Sequence, residues 1–254
     1  LSEYSIFKDK LFIMWIFYRH LMIKVTWLIM DLLNNRLFNN VEEKLINLIP
    51  ANSILKKNKK QKIIVDEAEL HNPNLYIVKS GIIIVLKTDL NGKETFLSLK
   101  KSNDVFGYLS VIDWKPRNGK AVALIDCEYW QIDGFFVKKF LLQNIQFSFN
   151  LMNILTSYIR MTDNYISNAV NKSAQKKILF KLLTLGDISN NGSKCNIKSY
   201  IKQAIISNFT GLSRETISRE IHRLKEMGII EVDNGNNMIL DIEKAENLLK
   251  KWIK

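Results

Sequence analysis

The apolar residues of this chain change their period once, near Asp133, and that change points to a β-rich body followed by a helical one. From Ile54 to Ile132 they come in short β-branched or aromatic runs separated by polar turn clusters, the spacing of an antiparallel sandwich or barrel. The clearest runs are residues 75–78, residues 82–87 after Gly81, residues 95–99, and residues 121–125 just before Cys127. Asn91-Gly92 between two of them predicts a two-residue hairpin turn with both residues at positive φ. Beyond Asp133, Met152, Leu155, Ile159, Thr162 and Ile166 recur at steps of three and four without Gly or Pro. That stripe predicts one long amphipathic helix with a coiled-coil-like seam, expected at a two-fold interface.

The chain has 254 residues and a formal net charge of +12, enough length for two modest domains and a preference for anionic partners. Residues 171–254 carry 15 Lys and Arg against 9 Asp and Glu, so half of the excess sits on the last third. Two cysteines, Cys127 and Cys195, are too few for a secreted disulfide framework or a four-thiolate cluster. Residues 11–33 are apolar, but Arg19, His20, Lys24 and Asp31 interrupt them, so no membrane span is expected. Residues 1–50 are set aside as a helical or leader segment, because the chain begins at Leu1 and the strand pattern starts later. Abundant Lys, Asn and Ile with scarce Gly, Pro and Ala fit an AT-rich coding source such as a small bacterium or an algal plastid.

The chemistry lies in the basic C-terminal third. Residues 172–185 read as a helix, residues 187–193 as a loop, and residues 201–209 as a second helix ending in a Thr210-Gly211-Leu212 turn. Ser213 is then a good N-cap for a third helix, with Glu215 and Thr216 suited to its first turn. On it Ile217, Ile221 and Leu224 share a face, leaving Arg214, Glu215, Ser218, Arg219 and His222 outward. Residues 228–232, an Asp233-Asn234-Gly235-Asn236 turn and residues 238–240 form a hairpin, completing a winged helix-turn-helix. Arg is shaped for guanine O6 and N7, Glu accepts from cytosine N4, and Ser can bond bases or phosphate. The chain shows no metal-ligand spacing, nucleophile pairing or Gly-rich phosphate loop, so no enzyme and no cofactor are read from it.

The run from Leu212 through Arg219 resembles the recognition-helix signature of the Crp/Fnr regulators, and the order barrel, long helix, winged helix matches theirs from about residue 50 onward. The resemblance implies an α+β chain: a cyclic-nucleotide-binding-type β-barrel of jelly-roll form over 51–133, a dimerisation helix over 134–170, and a DNA-binding winged helix-turn-helix over 171–254. It implies a homodimer that binds a palindromic duplex through Ser213, Arg214, Glu215, Thr216, Ser218 and Arg219, and that meets RNA polymerase as a regulator, most simply an activator.

The family's barrels sense different effectors. Cyclic-nucleotide binders carry a Glu after the Phe-Gly of the pocket and an Arg before the last strand; here those places hold Tyr108 and Gly119. The stretch from Ser102 to Ser110, with a basic residue before Ala121, is most similar to the global nitrogen regulators of cyanobacteria and plastids. That similarity implies 2-oxoglutarate as effector, held by Phe106, Gly107, Tyr108, Leu109 and Arg117, and a location in a plastid stroma or bacterial cytoplasm. A second effector-binding Arg of those regulators is replaced here by Tyr158. Arg160 is two residues on, about 160° around the helix, and cannot simply stand in for it. The other reading is an effector-blind DNA-binding protein whose barrel serves dimerisation alone.

Overall fold

The computed structural model describes residues 29–30, 32–67, 73–92, 94–170 and 173–250, with side chains of 164–170 and 250 left aside. The apolar stretch of residues 11–33 therefore lies almost wholly outside the described residues, as do His20 and His71. Among the described residues no helix is long and apolar enough to cross a membrane.

Eight strands build a jelly roll: β1 (Ser53–Asn58), β2 (Ile63–Val65), β3 (Leu75–Ser80), β4 (Ile83–Thr88), β5 (Glu94–Lys100), β6 (Val105–Phe106), β7 (Lys120–Ala123) and β8 (Cys127–Ile132). They form two four-stranded antiparallel sheets, in the orders β1-β8-β3-β6 and β2-β7-β4-β5. The expected α+β architecture is thus the observed one. β3 has Leu75, Tyr76, Ile77 and Val78 all buried, because both of its faces are covered. Tyr76 and Val78 point between the sheets with Ile83, Phe106, Ala121 and Tyr129. Leu75 and Ile77 point out toward a helical layer.

That layer takes in part of the first fifty residues, which were expected as a helical or leader segment. Leu32, Leu37, Phe38, Ile46 and Ile49, on short turns that include α1 (Glu43–Ile46), are buried against the outer face of the first sheet. Asn150 ties the segment down, its Nδ2 donating to the carbonyls of Leu37 at 3.0 Å and Asn39 at 2.8 Å. Residues 32–50 are therefore part of the barrel's core.

A short helix, α2 (Tyr108–Asp113), follows β6. The stretch expected as one helix from residue 134 is two, α3 (Gly134–Gln143) and α4 (Ile145–Val170). Asn144 breaks the run with an extended backbone and then caps the second helix, its Oδ1 accepting from the N–H of Phe147 at 2.8 Å.

The C-terminal domain comprises α5 (Ala174–Leu185), β9 (Asp187–Ile188), β10 (Lys194–Ile197), α6 (Gln203–Thr210), α7 (Arg214–Glu226), β11 (Ile230–Val232), β12 (Met238–Asp241) and α8 (Ile242–Lys250). The expected loop of residues 187–193 is a hairpin, since β9 and β10 extend the wing into a sheet of order β11-β12-β10-β9.

The Asn-Gly hairpins form where expected but by another construction. In residues 89–92 and again in 233–236 an Asp opens the turn. Its side chain accepts from the residue two ahead (2.9 Å to Asn91, 2.8 Å to Gly235) and its carbonyl from the residue three ahead (3.0 Å in both). Only that last residue is left-handed, Gly92 at φ 76° and Asn236 at φ 58°. A turn with a left-handed fourth residue is the construction of three-residue hairpin loops, such as 234–236 closed by the bond from Asp233 N to Asn237 O, whereas the type I′ turn needs a two-residue one.

Candidate DNA-binding interface and sensory pocket

The turn between α6 and α7 is locked by its own polar residues. Gly211, left-handed at φ 69°, ends α6 by donating to Ser207 O at 2.9 Å, and the hydroxyl of Ser207 donates to Leu212 O at 2.6 Å. Ser213 then caps α7 as expected, accepting from the N–H of Thr216 at 3.2 Å. Ile217, Ile221 and Leu224 are buried with Ile206 and Phe209 of α6 and Ile178, Leu179 and Leu182 of α5. Arg214, Glu215, Ser218, Arg219 and His222 are exposed on the opposite side, and Thr216 is half-buried. Hydrogen bonds from its own backbone N–H and from Ser213 hold the Glu215 carboxyl below the usual range, so it stays a charged acceptor.

One residue of this surface escaped the sequence reading. Glu220 is 6% exposed, accepts from Arg223 Nη1 at 3.0 Å and faces Arg219 Nε at 3.6 Å. It holds two arginines of the outer face from beneath; a charged residue one step before the apolar Ile221 was the available signal.

Between the two sheets lies a pocket closed by α2 and by Tyr158 of α4. Phe106, Gly107, Tyr108, Leu109 and Arg117 all line it, together with Ser98 and Ser110. Gly107 is the pivot: at φ 83° it turns the chain into α2, and a Cβ there would lie 2.6 Å from Asn74 O and 2.8 Å from the Tyr76 ring. Burial first, then Tyr158, pushes the Tyr108 hydroxyl up to about 12, so it remains a neutral donor.

Arg117 is tied into the pocket wall. It is 7% exposed, Nη1 donates to Asn74 O at 3.2 Å and Gly107 O at 3.1 Å, and the guanidinium lies 5.5 Å from the Tyr76 ring centroid. It therefore braces the pocket wall as well as lining the pocket.

The exposed line of α4 in the single chain runs beside the stripe read in the sequence and shares Met152 and Ile159 with it. Met152 and Ile159 are more than half exposed, as are Ile145 and Phe149. Leu155 packs partly against the barrel's own core, and Thr162 lines a cleft on the other side of the helix. The side chain of Ile166 lies outside those described. The exposed line steps by four and three from Ile145 through Phe149, Met152 and Thr156 to Ile159, a regular heptad visible in the sequence.

Two family patterns match the chain, Cyclic nucleotide-binding domain over residues 55–144 and Crp-like helix-turn-helix domain over residues 176–248. The chain is a DNA-binding transcription regulator of the Crp/Fnr family. This regulator is 28% identical over 174 residues to the Cyclic AMP receptor protein of Thermus thermophilus, covering 68% of its own length and 78% of the relative's. It is 23% identical over 164 residues to the Global nitrogen regulator of Synechococcus elongatus, covering 62% and 73%. In fold it is similar to FixK2 from Bradyrhizobium japonicum, with a TM-score of 0.68 at 19% identity over 77% of this chain and 96% of that one. Both patterns and these relatives are those of transcription regulators, which are not enzymes. The regulator's nitrogen-type relative is thus no nearer in sequence than its cyclic-AMP relative.

Proposed function

We propose that this regulator is a homodimer that binds a palindromic duplex through Ser213, Arg214, Glu215, Thr216, Ser218 and Arg219, gated by a small dicarboxylate such as 2-oxoglutarate, in the control of nitrogen metabolism. The observation that carries the DNA reading is α7 itself. Its buried face is apolar apart from Glu220, and its outer face sets two arginines, a carboxylate and a serine where base edges can be read. The exposed line from Ile145 to Ile159 supports pairing of two copies along α4, which brings two recognition helices to successive major grooves. RNA polymerase is the expected partner once the dimer is on DNA, and a plastid stroma or bacterial cytoplasm the expected setting.

The dicarboxylate reading rests on the composition of the barrel pocket. Arg117 supplies positive charge, Ser98, Ser110 and Tyr158 supply hydroxyls, and Tyr108 and Gly119 occupy the places where cyclic-nucleotide binders carry Glu and Arg. The engagement of Arg117 by two carbonyls favours a second reading, in which the barrel binds no effector and DNA binding is constitutive. Calorimetric titration of the full chain with 2-oxoglutarate and with cyclic AMP, with and without a palindromic duplex, separates these. Heat and tighter DNA binding with 2-oxoglutarate alone support the first reading. A response to cyclic AMP replaces the effector, and silence toward both leaves the effector-blind regulator.

A further inference from the structure

One strand of the barrel carries a lysine at an inward-facing position. In the β4–β5 pair Ile83 lies opposite Lys100, Ile84 opposite Leu99 and Val85 opposite Ser98. Ile83 belongs to the core between the sheets, and Val85 and Ser98 line the barrel pocket. Ile84 and Leu99 pack the other way, with residues of the C-terminal domain. Side chains alternate along a strand, so Lys100 shares the inward face with Ser98. Its neighbour Lys101 is turned instead to the carboxylate of Asp187 on β9.

Lys100 lines the pocket together with Tyr108 of α2 and Tyr158 of α4. These three, with Leu97 and Ser98, also line the cleft beside α4, so pocket and cleft are one continuous space that narrows at these side chains. Arg117 lines the pocket and not the cleft, in the wall that it braces through Asn74 and Gly107. The pocket thus has a guanidinium on its closed side and an ammonium on the side that opens toward α4. Burial holds that ammonium below the usual lysine range; Asp104 offsets part of the effect and Arg36 adds to it. The Asp104 carboxylate is shared, since its Oδ2 also accepts from the N–H of Lys101 at 2.8 Å.

We propose that Lys100 sets the class of effector, taking the distal carboxylate of a dicarboxylate whose other end is held by Arg117, so that the pocket selects diacids over monoacids of the same length. This rests on the dicarboxylate reading of the pocket and names the residue that makes a second carboxylate necessary. A monoacid sets a methyl group against a desolvated ammonium, whereas a diacid replaces the lost water with a charge-assisted hydrogen bond. The hydroxyls of Tyr108 and Tyr158 line the same end of the pocket and can donate to the same carboxylate.

The experiment is calorimetric titration of the full chain with 2-oxoglutarate and with 2-oxopentanoate, which has the same carbon chain and a methyl group in place of the distal carboxylate. The wild-type chain is expected to bind 2-oxoglutarate about tenfold or more tighter. Lys100→Met and Lys100→Gln, each checked for a folded melt, should abolish the preference by weakening 2-oxoglutarate alone. Arg117→Gln should weaken both acids, and Lys101→Met, which removes the same charge from the neighbouring position, should alter neither. No binding of 2-oxoglutarate by the wild-type chain overturns the dicarboxylate reading and this proposal with it. Four other results overturn the role of Lys100 and leave that reading standing: equal wild-type affinity for the two acids, a preference kept in both Lys100 variants, equal weakening of both acids in them, or an equal loss in Lys101→Met. A loss confined to 2-oxoglutarate in Arg117→Gln exchanges the two ends and overturns the assignment.

Discussion

Arg117 donates from Nη1 to the carbonyl of Gly107 across 3.1 Å, joining the loop before β7 to the left-handed residue that starts α2. The same nitrogen serves Asn74 O, so one side chain ties the loop before β7 to two other backbone segments. Arg117→Gln should therefore lower stability by about 1–3 kcal/mol, the cost of losing buried hydrogen bonds from a charged group. Urea unfolding of the effector-free chain checks this, and an unchanged midpoint would show that the arginine is dispensable to the wall.

On α7, Arg214→Ala and Arg219→Ala should each weaken binding to a palindromic site by about 1–3 kcal/mol while affecting random duplex much less. Glu220→Gln should produce a smaller loss of the same kind, since it releases Arg219 and Arg223 from beneath without removing either. Competition binding at fixed salt measures all three. Equal losses on specific and random DNA would make these phosphate contacts.

Along α4 the two faces should behave differently. Met152→Asp and Ile159→Asp should give folded monomers by sedimentation, because both positions are exposed. Leu155→Asp should instead lower the melting temperature, because Leu155 packs partly on its own barrel. A chain that remains dimeric with both exposed positions charged would relocate the interface.

Lys181 gives a pH prediction with a definite sign. Its folded-state value is lowered to about 8, so below that pH both folded and unfolded chains carry the proton and the folded state bears the full desolvation cost. Above about 8 the folded chain loses the proton first, the unfolded chain binds more protons, and stability rises toward the ordinary lysine range. Lys181→Met should stabilise the chain at pH 7 by about 1–2 kcal/mol, allowing for solvent screening, and the advantage should shrink by pH 10. Thermal melts of both chains across that range test it.

The features legible in the sequence were those with local causes. Ser213 could be named as a cap because capping needs only the next three residues, and the α7 faces follow from 3.6 residues per turn. The hairpins were placed by Asn-Gly, but their turn type was set by Asp89 and Asp233, whose side chains compete for the same N–H groups. What local pattern could not give was partnership over distance. Residues 32–50 looked detachable because their partner, Asn150, lies more than a hundred positions away. Arg117 looked available because the carbonyls it meets belong to Asn74 and Gly107. The cleft beside α4 had no linear signature, since its walls are drawn from β5, α2, α4, α5 and α6 together with Arg36.

The opposition of the two faces of α4 makes the helix an axle. A turn of ~20° about its axis carries side-chain atoms ~5 Å from that axis through nearly 2 Å, enough to open or shut a contact on either side. In a pair of chains meshed along Phe149, Met152 and Ile159, such a turn in one chain would displace the side chains of its partner by a similar distance. Tyr158, which closes the barrel pocket, and Met152, on the exposed line, would then move together in opposite senses.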